Sequence, residues 1–231
     1  MKDNSKEIID NITVVLVLYR STQIVFELIE NIKNFKILIV DNGGNKKILE
    51  KVKSKNLNIN IISKNKNIGY GQGINFAYNY VKTKFFLVLN PDLIITYKNI
   101  KKLYNTIVTN QNCVITAPVT MPDIDFYGTF PEIENLTKKN NYEKKISKIL
   151  YNSKIEGICC VDVVKGCAML IDSNLFQKIG KFNEKYFLFY EEIELCKKIR
   201  NSKLSIIIDN NSFAEHKIGS SSKNDFFTIF V

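Results

Sequence analysis

The stretch KFFLVLNPDLII, residues 84–95, decides how this chain is read. Five apolar residues, Phe85 to Leu89, run into Asn90, Pro91 and Asp92 before apolar residues resume. Proline removes a ladder hydrogen bond and is confined to the edges and ends of sheets. A buried carboxylate is costly unless something pairs with it. A strand is therefore expected to end at Asn90, and Asp92 needs a partner. The residues alone allow two readings of this tripeptide. It is an Asx or proline turn opening the next element, or it sets a carboxylate at a strand end to meet a hard cation such as Mg²⁺ or Mn²⁺, which takes oxygen ligands and bridges phosphates.

Upstream, the chain alternates between two periodicities. ITVVLVLY, residues 12–19, is an apolar and β-branched strand, and TQIVFELIENI then carries Ile24, Leu28 and Ile32 on one helical face. FKILIV, NINIIS, FFLVLN and CVITAP read as further strands, separated by the helices KKILEKVKSK, GINFAYNYVK and NIKKLYNTIV. Strands without polar alternation between amphipathic helices predict an α/β fold, with a Rossmann-like, mainly parallel sheet sandwiched by helices in a single domain. Ligands of such sheets bind beyond the carboxyl ends of the strands. That places the interest at Tyr19, Asp41, residues 65–73 and residues 90–92.

From Met121 to Gly157 the pattern breaks into a polar, lysine-rich segment, expected to be a mobile insertion with one short helix. Order resumes with a strand in VDVVKGCAMLID, and a helix in SNLFQKIG follows, with a serine N-cap and a glycine stop. A helix in FLFYEEIELCKKIR and a last strand in LSIIID complete the pattern.

Composition narrows the class. With 231 residues and 45% apolar content the chain can bury a substantial core. No apolar run approaches the ~20 residues that span a bilayer, and the polar start MKDNSKEIIDN is no secretory signal. Five cysteines show no disulfide or zinc spacing, which points to a reduced, cytoplasmic protein. The net charge of +10 comes from 33 basic residues, all lysines except Arg20 and Arg200, scattered among asparagines and isoleucines. That pattern reads as a solvated surface and not a nucleic-acid face, with transient attraction to an anionic leaflet or a diphosphate left open.

Four further constellations carry candidate chemistry. LIVDNGG puts Asp41 at a strand end before a glycine turn, where it either accepts hydrogen bonds from a ribose or base or simply caps the turn. NIGYGQG, residues 67–73, is not a dinucleotide fingerprint, because Ile74 stands where the third glycine would be. It is either a flexible loop or a cradle at the start of a helix. FLFYEEIELC sets Glu191, Glu192 and Glu194 among aromatic residues, which raises carboxyl pKa toward general-base duty. The alternative is an acidic first turn facing a helix dipole. His216, the only histidine, lies in AEHKIGSSS as either a structural residue or a metal or phosphate ligand.

Taken together, VVLVLYRS, ILIVDNGG, NKNIGYGQGINFAY, FFLVLNPDLII, the block from VKGCAMLID to FYEEIELCKKI, and HKIGSSS resemble the family 2 inverting glycosyltransferases of GT-A fold, and within them the rhamnosyltransferase-like enzymes of bacterial surface polysaccharide assembly. The resemblance covers most of residues 12–222 outside the insertion. It implies a nucleotide-sugar-binding half over about 12–118 and an acceptor-side half over about 119–222. By resemblance, Asp92 is the metal-binding carboxylate of a DxD-type motif that includes Asn90, and His216 lies near the metal and diphosphate. Asp41 and Tyr19 contact the base, while Asn67, Gly69 and Asn75 flank the nucleotide sugar. Lys165 and Gly166 line the donor–acceptor boundary. Glu191-Glu192 matches a Glu-Asp pair whose second member is the general base.

The implied cofactor is Mg²⁺ or Mn²⁺. The implied donor is dTDP-rhamnose or a UDP-hexose, and the acceptor is a glycan or polyprenyl-linked glycan at the inner face of the membrane. Three features depart from the family pattern: Glu192 stands for the usual aspartate, Arg20 for a common asparagine, and the chain stops soon after the histidine loop, as a minimal or truncated member would. These departures motivate the alternative of a non-catalytic binding or scaffold subunit on the same fold. A sugar nucleotidyltransferase is disfavoured, because YRSTQIV after the first strand lacks the glycine-rich phosphate loop such enzymes carry.

Overall fold

The computed structural model describes residues 5–54, 58–121 and 157–217. Residues 122–156, nearly all of the expected insertion, and the serine loop after His216 lie outside the described residues. The chain opens with α1 (Ser5–Asn11), whose Ile8 is buried although the segment reads as polar. It continues through β1 (Ile12–Leu18), α2 (Val25–Ile32), β2 (Lys36–Asp41), α3 (Lys46–Ser54), β3 (Ile59–Ser63), α4 (Tyr70–Tyr78) and β4 (Phe85–Leu89). Then come β5 (Leu93–Ile95), α5 (Tyr97–Thr109), β6 (Cys113–Met121), β7 (Ile158–Cys160) and β8 (Ala168–Asp172). The last elements are α6 (Ser173–Lys178), α7 (Glu191–Asn201) and β9 (Ser205–His216).

One sheet runs in the order β3-β2-β1-β4-β8-β6-β9-β5, with β7 also paired to β9. β1 to β4 are parallel, as their unbroken apolar runs predict. Period-2 geometry sends Val14, Leu16 and Leu18 into the core on one face and Val15 and Val17 into the core on the other. The parallel pattern does not extend across the sheet: β8 joins β4 and β6 antiparallel, and β5 and β7 join β9 antiparallel, while β6 and β9 are parallel.

The opening question about Pro91 is answered by chain direction. β4 stops at Leu89, and the chain leaves the sheet centre through Asn90 and Pro91 and re-enters as β5 at the opposite edge. No strand interior therefore contains the proline.

Local boundaries shift where side chains outcompete pattern. The expected strand 161–172 is shortened to β8, leaving residues 161–167 as a loop that carries Lys165 and Gly166. The N-cap of α6 is Asp172, which accepts from the Leu175 N–H at 2.8 Å, and Ser173 instead donates to the Thr83 carbonyl at 2.9 Å. α7 begins at Glu191 and not at Phe187, because Phe189 and Tyr190 both sit at φ 68°, outside helical space. Conversely, α4 starts at Tyr70, inside the expected glycine loop, with Gly69 at φ 83° supplying the turn.

Candidate active site

The carboxyl ends of β1, β2 and β4 form one edge, since Leu18 pairs with Asp41 and Leu16 with Leu89. Asp41 ends β2, and its Oδ1 accepts from the Gly43 N–H at 2.9 Å and from Asn45 Nδ2 at 2.7 Å. Asn45 is the organiser of this corner. Its Nδ2 also reaches the Leu18 carbonyl at 2.9 Å, and its Oδ1 accepts from the Ser21 N–H at 2.8 Å. Sequence reading passed over Asn45. The available signal was an asparagine directly before a helical pattern, an N-cap position, although here the side chain ties two strand ends together. Tyr19 stays exposed, with the Arg20 guanidinium 5.2 Å from its ring centroid.

The loop before α4 docks on this corner. Asn42 Nδ2 donates to the Gly69 carbonyl at 2.9 Å, and Asn67 Oδ1 accepts from the Gly69 N–H at 3.0 Å. Gly73 admits no side chain, because a Cβ there would lie 2.9 Å from Val17 Cγ1. Asn75, expected beside the donor sugar, is buried, donates to the Phe182 carbonyl at 2.9 Å and to Glu184 Oε1 at 3.1 Å, and accepts from the Phe182 N–H at 3.1 Å. Its amide is engaged at both ends by residues 182–184, so it ties α4 to the segment before α7.

Asp92 and His216 come together across the β5–β9 pairing, in which Leu93 faces His216. Asp92 Oδ1 lies 3.3 Å from His216 Nε2, and the carboxylate is 4% exposed. The Lys217 N–H donates to the Asp92 carbonyl at 3.0 Å, and the Asn90 N–H to the Cys167 carbonyl at 2.8 Å. The contact that faces the buried Asp92 carboxylate is thus a histidine 124 positions further along the chain, an ion pair when the imidazole is protonated.

The glutamate pair opens α7, where Glu192 and Tyr70 both pack against Gly166. The helix N-terminus favours the charge of Glu191 and Glu192, yet burial outweighs that effect for both. Glu191 is 4% exposed, and burial, with a smaller push from Glu192, raises its carboxyl to about 7. Its Oε2 is buried and accepts no hydrogen bond among the described residues. Burial also raises Glu192, which lines the floor: a Cβ on Gly166 would lie 3.4 Å from Glu192 Cβ and 3.6 Å from Tyr70 Cε1.

Tyr70, missed as a functional residue by sequence reading, sits at the hub. Its hydroxyl donates to the Gly166 carbonyl at 2.7 Å, and its N–H donates to the Phe187 carbonyl at 3.1 Å. Burial first, then the negative charges at Cys167, Glu191, Glu192 and Asp92, push its phenol well above the ordinary range, so it remains a hydrogen-bond donor. The loops at Asn90 and Gly166 and the start of α7 are joined here, since the Cys167 carbonyl accepts from the Asn90 N–H and Glu192 packs against Gly166. Lys165 adjoins Gly166 in the same loop and is half-buried.

The sequence matches glycosyl transferase family 2 over residues 2–170, most of the chain. The chain belongs to this family. It is 28% identical over 202 residues to the low-salt glycan biosynthesis hexosyltransferase Agl10 of Haloferax volcanii, covering 86% of this chain and 64% of that protein. Among solved structures, GalNAc-T7 with UDP, GalNAc and Mn²⁺ superposes with a TM-score of 0.71 at 12% identity, over 90% of this chain and 44% of that one. The mannosyltransferase PcManGT of Pyrobaculum calidifontis, in complex with GDP-Man and Mn²⁺, gives 0.67 at 10% identity, over 94% and 58%. These likenesses establish the GT-A fold.

Family 2 membership makes a divalent cation the group to test against the residues present. No cluster of three or more histidine, cysteine or acidic side chains suited to a metal occurs among the described residues. Asp92 and His216 offer one carboxylate and one imidazole nitrogen at a ligand-binding sheet edge. Two protein ligands fit an ion whose remaining positions are filled by a diphosphate. No helix among the described residues is long and apolar enough to cross a membrane.

Proposed function

We propose that this protein transfers a hexosyl or rhamnosyl group from a nucleoside-diphosphate donor to a hydroxyl of a glycan or lipid-linked glycan, with inversion, in surface polysaccharide synthesis. The observation that carries the reading is the loop at Gly166 and Cys167, which accepts from the Tyr70 hydroxyl, packs against Glu192 and accepts from the Asn90 N–H two residues before Asp92. Donor-side and base-side carboxylates facing one centre are what a single displacement requires.

In this reading the base stacks at Tyr19 and hydrogen-bonds Asp41, whose Oδ2 remains after Oδ1 is engaged by Gly43 and Asn45. Asn67 and Gly69 shape the loop beside the sugar, and Asn90, Lys165 and Gly166 border the reacting carbon. Asp92 and His216 hold Mg²⁺ or Mn²⁺, which, when bound, offsets the charge that develops on the departing diphosphate. Glu192 takes the proton of the acceptor hydroxyl as it attacks the anomeric carbon from the face opposite the leaving group. Burial raises its pKa, the direction that strengthens a carboxylate as a proton acceptor. Glu191 precedes it on α7, and burial raises its proton affinity as well.

The two raised carboxyls favour catalysis over the scaffold alternative, since a binding subunit gains nothing from destabilised charges. The similarity to a hexosyltransferase favours a UDP-hexose over dTDP-rhamnose as donor. The inner face of the membrane is where a lipid-linked acceptor would be met.

A thermal-shift screen of UDP, dTDP and GDP, each with and without Mn²⁺, tests the assignment. A ligand that binds only the native state raises its stability by mass action. One diphosphate is expected to raise Tm only with the metal, and Asp92→Ala is expected to abolish that shift. A shift that survives Asp92→Ala contradicts the metal role.

A further inference from the structure

Residues 186–190, Tyr-Phe-Leu-Phe-Tyr, expose five large apolar side chains in succession, from 36% for Tyr186 to 64% for Tyr190. The other exposed large hydrophobics among the described residues stand singly along the chain, and single ones need no explanation. A continuous run does. Its backbone is strained as well: Phe189 and Tyr190 both lie at φ 68°, a region that bulky residues avoid. Such strain persists only where surrounding structure enforces it, and it clusters at ligand sites.

The enforcement is visible beneath the run. The Phe187 carbonyl accepts from the Tyr70 N–H at 3.1 Å, and Gln72 Nε2 donates to the Glu184 carbonyl at 2.8 Å. Gly69 lets the chains touch, since a Cβ there would fall 2.2 Å from the Phe187 carbonyl oxygen. The rings are therefore held outward on the start of α4 instead of collapsing into the core. The run ends at Tyr190, the N-cap of α7, immediately before Glu191 and Glu192. It borders the general base at one end and the donor loop at the other.

We propose that Tyr186–Tyr190 is an acceptor platform on which the sugar ring bearing the attacking hydroxyl stacks. The assignment rests on the transferase reading above. That hydroxyl must reach Glu192, so its ring lies within about one ring's width of Tyr190. A sugar presents an apolar C–H face and a hydroxyl rim, which match aromatic faces flanked by the two tyrosine phenols. A lipid diphosphate or an anionic leaflet matches less well. Between residues 181 and 198 the chain carries Lys181, Lys185, Lys197 and Lys198 against Glu184, Glu191, Glu192 and Glu194, so local charge balances and offers anions no net attraction.

The test is saturation-transfer NMR with the methyl glycosides of glucose, galactose, mannose and rhamnose, and with octyl glucoside as the lipid-like arm. Wild type is compared with Phe187→Ser and with the double variant Phe189→Asn/Tyr190→Asn, because asparagine tolerates positive φ and preserves the backbone. At least one methyl glycoside is expected to respond, falling about fivefold or more in both variants, with Tm and the metal-dependent diphosphate shift unchanged. A response equal in wild type and variants overturns the platform. So does the absence of any methyl-glycoside response, or a response confined to the octyl arm, which would identify an alkyl-chain surface. If the glycoside result holds while no diphosphate shifts wild type, the sugar site stands and the transferase reading falls.

Discussion

The corner at the ends of β1 and β2 and the start of α7 both place carboxylates at the candidate site, by opposite physical means. Around Asp41 the hydrogen bonds are dense, since Asn45 alone joins Leu18, Ser21, Asp41 and Gly43, although Asn42 Oδ1 and Ser21 Oγ are buried with no hydrogen-bond partner among the described residues. Asp41 shows its charge to the site from a rigid frame that needs no rearrangement to receive a ligand. Around Glu191 the carboxyls are desolvated, one oxygen lacks a partner among the described residues, and the residues just before them are held at positive φ. The Asp41 corner is organised by a dense set of hydrogen bonds, and the start of α7 by desolvation of its carboxyls. Under the roles proposed above, a base must change its protonation state during the reaction while a donor clamp must not, and the two regions differ in that direction.

The seam between the halves is where that contrast breaks most readily. Gly69→Ala drives a Cβ into the Phe187 carbonyl and forces a non-glycine residue to φ 83°, so a loss of about 3 kcal/mol or more is expected in urea unfolding. Gly157→Ala is its control: φ is 87° but nothing lies within 4 Å, and only about 1–2 kcal/mol is expected.

The next effect is one of pH. Glu191 holds its proton more tightly in the folded protein, at about 7, than at the ordinary value of 4.5. The folded state therefore binds more protons between those values, and stability falls as pH rises from about 4.5 to about 7, then levels off. Glu191→Gln is expected to flatten most of this slope in pH-dependent unfolding.

The smallest effect is expected at the hub. Tyr70→Phe removes only the hydrogen bond to Gly166, costing about 1 kcal/mol by denaturation. Donor turnover is expected to fall more than donor affinity, because the loop facing Glu192 loses its anchor. Equal losses would make Tyr70 a donor contact and not a positioning residue.

The parallel half of the fold was legible because β1 and β4 are buried on both faces and their sequences are correspondingly unbroken. The antiparallel half was not, since β7 and β5 are three residues each and carry too little periodicity to register. Asp92 could be flagged because proline and a carboxylate interrupt an apolar run, but its contact with His216 depends on a strand pairing between distant segments. Asn45 and Tyr70 went unread for the same reason. Their significance lies in partners on other elements, which no spacing along the chain reveals. Asn75 could not be read as a brace either, because its partners, Phe182 and Glu184, lie more than a hundred residues along the chain.

The most direct test of the two-sided site is release of nucleoside diphosphate from UDP-glucose and dTDP-rhamnose, with Mn²⁺ and water as acceptor, by Glu192→Gln. This variant is expected to keep the metal-dependent diphosphate shift in Tm while release falls by about 10²–10⁴. Release at the wild-type rate, or loss of the diphosphate shift along with it, would contradict the assignment of Glu192 as a base distinct from the donor site.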